Sequence, residues 1–268
     1  MKRFALLGHN IEFSLSPKIH KMVFEHLGEE ADYQLFSVAP EDLEAALPAL
    51  FELDGFNVTM PYKNRIAKYL DIDMGMGAVN TVMWYCGQKM GYNTDYYGFN
   101  MALAHQINPD GLSALVLGAG GMADSAVRNL VKMGAVVYIY SRTFEKSEAL
   151  AQKRGVTAVT DTAGKFDIVI NCTPFGLNVG ENAGEGIDFS ETKLAFDAIY
   201  FETEFLKTAA AAGAKVTDGL EMLVYQAIFA DELFFETDID GMDELAAAIM
   251  AELRNPTDAI AAKRSIPL

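Results

Sequence analysis

The sequence predicts a two-domain α/β protein: an N-terminal, mostly parallel α/β domain, then a doubly wound, Rossmann-like domain, with C-terminal helices returning to the first. Three observations lead there. At 268 residues the chain exceeds the usual size of one domain and can bury a substantial core. Roughly its first hundred residues alternate short apolar runs with amphipathic ones, the βαβα rhythm of a mostly parallel sheet. Near the middle, Leu115-Val116-Leu117 runs straight into Gly118-Ala119-Gly120-Gly121-Met122-Ala123, and a second apolar run, Ala135 to Tyr140, ends on Ser141-Arg142-Thr143.

Taken in order, Phe4 to Leu7 reads as a strand, and Pro17 to Leu27 as a helix whose proline sits in the first turn, where its missing N–H is no loss. Tyr33 to Val38 is a strand, Glu41 to about Phe51 a helix, Gly55 to Val58 a strand, and Lys63 to Leu70 a helix. Val79 to Tyr85 and Lys89 to Tyr92 flank Cys86-Gly87-Gln88, which predicts a hairpin. A helix from Asp95 to about His105 leads to the turn formers Asn108-Pro109-Asp110-Gly111.

Strands are then expected at 114–117, 135–140, 156–159, 167–171, 194–199 and 214–217, a complete doubly wound set with helices between most of them. The alanine run Ala209 to Ala212 suits a helix. After Asp218-Gly219, helical patterns cover Leu220 to Phe234 and Met242 to about Leu253. With no further strand to build, these helices are expected to pack on the first domain. The domains are accordingly drawn at 1–102, 103–219 and 220–268, with a small ligand expected in the cleft between the first two.

The glycine turn carries the nucleotide reading. Its glycines let the backbone turn tightly and approach a pyrophosphate, whose charge rests on the amides that open the following helix. That helix, 122–133, is amphipathic and ends at Gly134, and the next strand begins at once, as a Rossmann-like dinucleotide site requires. A plain βα turn is the structural alternative. At the end of the second strand an acidic residue would receive the ribose hydroxyl of NAD, whereas arginine accommodates a 2′-phosphate. Arg142 stands there, so NADP is the expected cofactor.

Composition bounds the partners. With 37 Asp and Glu against 21 Lys and Arg, the net charge of −16 argues against nucleic acid or an anionic membrane surface. Cys86 and Cys172 lie far apart and form neither a disulfide framework nor a metal-spaced cluster, so no metal is expected and a reducing cytoplasm fits. The start, Met1 to Leu7, mimics a signal peptide for a few residues, but Gly8-His9-Asn10 stops its apolar run short of a secretory core. No segment is long enough to span a bilayer. A homodimer is carried as a candidate assembly that the sequence does not decide.

Several polar groups sit at strand ends rather than on solvated helix faces. Ser14 and Ser16 straddle Leu15 before Pro17, so both hydroxyls could meet one anion at that helix start, or Ser16 could simply cap it. Asn57-Val58-Thr59-Met60-Pro61-Tyr62-Lys63 follows a strand, and Lys63 is a candidate proton donor. Asp95, which closes Gly91-Tyr92-Asn93-Thr94-Asp95 at another strand-to-helix junction, is a candidate partner or a helix cap. A carboxylate beside Lys63 would orient the ammonium and also raise its pKa, so the residues alone leave open which group moves the proton.

Together these motifs resemble the shikimate dehydrogenases. Ser14-Leu15-Ser16-Pro17, Asn57-Val58-Thr59-x-Pro61-x-Lys63, Asn80-Thr81, Gly91-x-Asn93-Thr94-Asp95, the glycine turn, Asn171-x-Thr173-Pro174 and Asp218-Gly219-Leu220-x-Met222-Leu223-Val224-x-Gln226-Ala227 occur in that family's order and at about its spacing. The resemblance implies an NADP-linked, reversible reduction of 3-dehydroshikimate to shikimate in aromatic amino-acid synthesis, with Lys63 and Asp95 as the catalytic pair. It further implies that Ser14 and Ser16 hold the substrate carboxylate, while Thr59, Lys63, Asn80, Asp95 and Gln226 surround the ring hydroxyls and Tyr200 lies near the substrate. Gly118 to Ala123, Ser141, Arg142, Thr143 and Thr173 would line the cofactor, with Gly219 and Met222 near the nicotinamide.

The chain also departs from the pattern. Asn10, Phe13 and Lys21 replace a frequent proline, histidine and asparagine, Ser141 replaces an asparagine, and Asp124 stands where arginine is common, placing an anion near the phosphates. The usual Tyr-x-Pro-x-x-Thr appears as Tyr200-Phe201-Glu202-Thr203, shorter and without proline, so Tyr200 is equally well read as an ordinary strand-end aromatic. Competing readings are a quinate or dual quinate/shikimate dehydrogenase using NAD or NADP, more often NAD, a folate-linked methylene dehydrogenase, and an NADP-sensing binding protein. Arg142 speaks against the first, the paired serines and Asp-Gly-Leu segment against the second, and retention of both Lys63 and Asp95 against the third. A scaffold protein has neither heptads nor repeats to support it.

Overall fold

Residues 1–74 and 78–254 are described by the computed structural model. They fall into two units, one made of Met1–Gly98 with residues 224–254, the other of Phe99–Leu223.

The first unit is built on β1 (Lys2–Gly8), α1 (Ser16–Leu27), β2 (Ala31–Ser37), α2 (Leu43–Leu50), β3 (Gly55–Val58), β4 (Ile72–Asp73), β5 (Thr81–Tyr85) and β6 (Gln88–Tyr92). Its six strands run in the order β2-β1-β3-β5-β6-β4. β1 is parallel to β2 and β3, β4 is parallel to β6, and β5 runs antiparallel to both β3 and β6. The antiparallel pair exists because only two residues join β5 to β6. Cys86 and Gly87, at φ 49° and 77°, form that turn, and both positive angles are what a tight hairpin asks for.

Strand alternation sends side chains to opposite faces. Ala5, Leu7, Phe56 and Val58 pack with Leu43, Leu47 and Leu50 of α2. On the other face, Phe4 and Leu6 meet Phe24 of α1 and Ala230 and Phe234 of α7 (Leu220–Phe235). Phe4 stacks on Phe234 at 4.6 Å between ring centroids. A side chain at Gly55 would strike the Phe234 ring at 2.6 Å, so this strand position admits only hydrogen. The last helix, α8 (Met242–Leu253), lies against α1.

Two elements differ from expectation. Residues 63–70 do not form an α-helix: successive turns lead into a 3₁₀ turn at Ile66–Tyr69. Tyr62 N–H bonds Thr59 O, Arg65 N–H bonds Tyr62 O, and Lys63 O accepts from Val79 N–H at 2.9 Å. With that carbonyl committed to the segment leading into β5, it is not available to continue a helical ladder. β4, a two-residue strand, had no signal in the apolar pattern.

The second unit contains β7 (Ser113–Leu117), α4 (Gly121–Lys132), β8 (Val136–Tyr140), α5 (Phe144–Arg154), β9 (Thr157–Ala158), β10 (Ile168–Asn171), β11 (Leu194–Asp197), α6 (Glu204–Ala211) and β12 (Lys215–Thr217). All pairings are parallel, in the order β12-β11-β10-β7-β8-β9. The order reverses at β7, the first strand, which is the doubly wound arrangement with its switch point beside the glycine turn. Phe99, Ala102 and Leu103 of α3 (Asp95–Ala104) join Val116, Ile139, Ile170 and Phe196 in one core layer, while Leu115, Val169, Phe205 and Leu206 belong to the other. Among the described residues, no helix is long and apolar enough to cross a membrane.

Candidate active site

In the first unit the polar candidates come from three strand ends. Asn80 precedes β5, and its backbone is held from both sides: Val58 N–H donates to Asn80 O at 2.7 Å, and Asn80 N–H donates to Tyr92 O at 2.9 Å. Its side chain therefore projects from a fixed point. Nδ2 donates to Asp95 Oδ1 at 3.0 Å, Thr94 Oγ1 at 2.9 Å and Gln226 Oε1 at 3.2 Å. The other carboxylate oxygen, Asp95 Oδ2, accepts from Lys63 Nζ at 2.5 Å.

Asp95 is only 8 % exposed in its side chain and Lys63 24 %. A carboxylate so far out of water needs partners, and here Lys63 and Asn80 supply them. The helix-cap alternative for Asp95 gives way to this pairing, since both its oxygens are directed at side chains. Lys63, Asn80, Asp95 and Gln226 thus form one hydrogen-bonded group.

Ser14 and Ser16 lie together at the start of α1. Ser14 Oγ donates to Ser16 Oγ at 3.1 Å and accepts from Ser16 N–H at 3.2 Å. Ser16 does not cap the helix. The cap position is Leu15, without a side-chain bond, and Ser16 is itself the first helical residue. The backbone of Thr59 is pinned to β1 through Leu7 O at 2.8 Å.

In the second unit, Gly118 has φ 111° and a Cβ there would meet Thr173 Cγ2 at 3.1 Å and Cys172 O at 3.3 Å, so the turn closes on the end of β10 only with glycine. A Cβ at Gly120 would meet nothing within 4 Å. Gly120 is the extended cap residue of α4 and offers no side-chain bond to the helix start, which leaves an open cradle of the kind a phosphate fills. The glycine turn therefore fits a dinucleotide. Thr173 is oriented by Asn171, whose Oδ1 accepts from its hydroxyl at 2.6 Å and its N–H at 3.0 Å. At the end of β8, Ser141 Oγ donates to Thr143 O at 2.6 Å, and Arg142 is exposed.

Asp124 does not present a free anion to this cradle. Arg154 Nε bonds it at 2.5 Å and Lys153 Nζ at 2.9 Å. Burial works to raise its carboxyl, but the bonds from Arg154 and Lys153 outweigh it and hold the group below the ordinary aspartate range. Gly219 is fixed by contact: a Cβ there would lie 2.3 Å from Ala198 O. Met222 packs into the core of this unit. Tyr200 follows β11 in a bend, half-buried, and burial raises its phenol.

The network around Asp197 was not foreseen. Asp197, fully buried at the end of β11, accepts from Thr203 Oγ1 at 2.6 Å, Asn171 Nδ2 at 3.0 Å and Ile199 N–H at 3.1 Å. Thr203 is also the side-chain cap of α6. Despite the shortened segment after Tyr200, this chain still brings its threonine to the strand end. Burial raises the Asp197 carboxyl to about 6 against the pull of its donors.

Residues 6–82 match the family described as shikimate dehydrogenase substrate binding domain, and residues 102–179 match shikimate / quinate 5-dehydrogenase. The chain belongs to the shikimate dehydrogenase family. The family's members include the shikimate dehydrogenase (NADP(+)) of Ignicoccus hospitalis, 37 % identical over 245 residues that cover 86 % of this chain and 92 % of that protein. Among solved structures of the family, shikimate dehydrogenase from Aquifex aeolicus matches with a TM-score of 0.86 at 32 % identity, covering 95 % of this chain and 98 % of that one. The Thermus thermophilus enzyme, solved in complex with NADP(H) and shikimate, matches with a TM-score of 0.81 at 35 % identity over 93 % of this chain and 100 % of that one.

Proposed function

We propose that this protein catalyses the reversible, NADP-linked interconversion of 3-dehydroshikimate and shikimate, with Lys63 and Asp95 as its catalytic pair. The observation that carries the reading is the contact of Lys63 Nζ with Asp95 Oδ2, in a group completed by Asn80 and Gln226. NADPH, when bound, supplies the hydride that adds to the carbonyl carbon. The ammonium of Lys63 meets the negative charge that grows on the carbonyl oxygen and supplies its proton. Asp95 keeps that ammonium in place, and Asn80 keeps Asp95 in place.

The remaining residues bind and orient. Ser14 and Ser16 take the substrate carboxylate through hydroxyls already directed at one another, while Thr59, Asn80 and Gln226 take ring hydroxyls and Tyr200 contributes near the substrate. Gly118, Ala119, Gly120, Gly121, Met122 and Ala123 hold the pyrophosphate, Ser141, Arg142 and Thr143 the 2′-phosphate side, and Thr173, Gly219 and Met222 the nicotinamide side. Residues 1–102 are the substrate-binding domain and 103–219 the dinucleotide-binding domain, with the helices of 220–268 belonging with the first. The partner is a small anionic molecule in the cytoplasm rather than nucleic acid, which the net charge of −16 disfavours. The homodimer is decided by sedimentation.

The test is a steady-state comparison of shikimate and quinate, each with NADP and NAD. The reading expects the largest kcat/KM for shikimate with NADP. A larger value for quinate, or equal values for the two cofactors, overturns it in substrate or in cofactor.

A further inference from the structure

The hydrogen bonds behind Asp95 begin on another strand, at Tyr33 of β2. Its hydroxyl donates to Asn57 Oδ1 at 2.7 Å, and both residues are buried. The neighbours fix the direction of this bond. Asn57 Nδ2 faces the carbonyl of Asn80 at 3.3 Å and Thr81 Oγ1 at 3.0 Å. A carbonyl only accepts, so the amide cannot be turned over, and its oxygen must face the phenol.

The order continues inward. Thr81, having accepted from Asn57, donates to Asn80 Oδ1 at 3.0 Å. That same oxygen accepts from Thr94 N–H at 2.7 Å, which leaves Asn80 Nδ2 to donate to Asp95 Oδ1 at 3.0 Å. Each bond runs one way, from phenol toward carboxylate. The Tyr33 ring is itself clamped, since the His20 imidazole stacks on it at 4.0 Å and 12°, and His20 Nδ1 is held by Asp231 Oδ1 at 2.7 Å. Burial, helped by the charge of Asp231, keeps the phenol protonated and therefore a donor.

We propose that Tyr33 is a positioning residue for the Asp95 carboxylate, acting through Asn57, Thr81 and Asn80. The proposal rests on the reading of Lys63 and Asp95 as the catalytic pair. Tyr33→Phe takes the donor from Asn57 Oδ1 inside the protein, where an unpaired carbonyl oxygen is costly. Asn57 then shifts, its hold on Thr81 and on the Asn80 carbonyl loosens, and Asp95 no longer fixes Lys63 in one direction. Misplacement of a catalytic group lowers turnover more than binding.

The experiment is steady-state kinetics with shikimate and NADP on Tyr33→Phe, Asp95→Asn and the double variant, at a temperature where circular dichroism shows each folded. Tyr33→Phe is expected to lower kcat about tenfold and to move the KM for shikimate less than about threefold. In the Asp95→Asn background the same change is expected to cost less than about twofold, because the group it positions is already altered. A lower Tm with unchanged kcat, or an equal loss in both backgrounds, overturns the proposal. An Asp95→Asn variant with the parent's kcat overturns the catalytic pair and this proposal together, whereas a crippled Asp95→Asn beside an unaffected Tyr33→Phe overturns the proposal alone. Should Tyr33→Phe fail to fold, Thr81→Val interrupts the same series of bonds two steps further on and carries the same expectations.

Discussion

Thr203→Val removes one hydroxyl from the end of β11 and keeps the side chain's volume. The loss has two parts. The hydroxyl accepts from Leu206 N–H as the cap of α6, and losing such a cap costs about 1 kcal/mol. It also donates to the buried Asp197 carboxylate at 2.6 Å, and a hydrogen bond to a charged group contributes about 1.5–3 kcal/mol.

The second part depends on pH. Asp197 has a folded pKa of about 6 against an ordinary 3.8, so the folded state binds the proton more tightly than the unfolded chain. Stability from this group is therefore present below pH 3.8 and is lost as pH rises toward 6, by on the order of 3 kcal/mol in all. Removing a donor from the carboxylate raises the folded pKa further and widens that loss. Thr203→Val is expected to destabilise by about 3 kcal/mol at pH 8 and by at least about 1 kcal/mol less at pH 5. Urea unfolding of parent and variant at both pH values, followed by far-ultraviolet circular dichroism, measures it, and Asp197→Asn is the control in which the pH dependence of the Thr203 effect disappears. A variant equally destabilised at pH 5 and pH 8 would refute the assignment of Thr203 as a donor to an ionised Asp197.

Lys63→Ala is expected to lower kcat by about 100-fold or more with a modest change in KM, as loss of a transition-state contact should; stopped-time assays of NADPH formation check it, and near-normal kcat removes Lys63 from the chemistry. Ser14→Ala should instead raise the KM for shikimate by about tenfold, the worth of one hydrogen bond to a carboxylate, and a change confined to thermal unfolding would make the serine structural. Arg142→Ala should reduce the preference for NADP over NAD by about 10-fold or more through loss of a charged contact, read as the ratio of kcat/KM values; an unchanged ratio places cofactor choice elsewhere.

The glycine turn and the strands around it were legible because close approach of backbone to backbone admits one residue type, and the sequence shows it at Gly118 and Gly219. Lys63 and Asp95 were legible for another reason, their position at strand ends, although their contact is a tertiary fact. What the sequence concealed are partners that look unremarkable as single residues. Thr203 reads as a loop threonine until Asp197 is seen beneath it, and Tyr33 reads as a core aromatic until its hydroxyl is seen to meet Asn57. The missed 3₁₀ turn has a local cause, a carbonyl at Lys63 already engaged by Val79. Apolar periodicity has no access to such a commitment. Asp124, alarming in the sequence, is neutralised by Arg154 and Lys153 from thirty or so positions away.

The way the chain is divided has a consequence for its birth on the ribosome. The second unit is one uninterrupted stretch, Phe99–Leu223, whereas the first joins residues made before that stretch to residues made after it. Phe4 has Phe24 of α1 beside it early but lacks the stacked ring of Phe234 until that residue is made, and Asn80 lacks Gln226. Translation therefore delivers a complete nucleotide-type fold while the older half waits with one sheet face covered by α1 alone. That interval is where a nascent chain of this design is most exposed to sticking to its neighbours, and where a holding chaperone would find its footing.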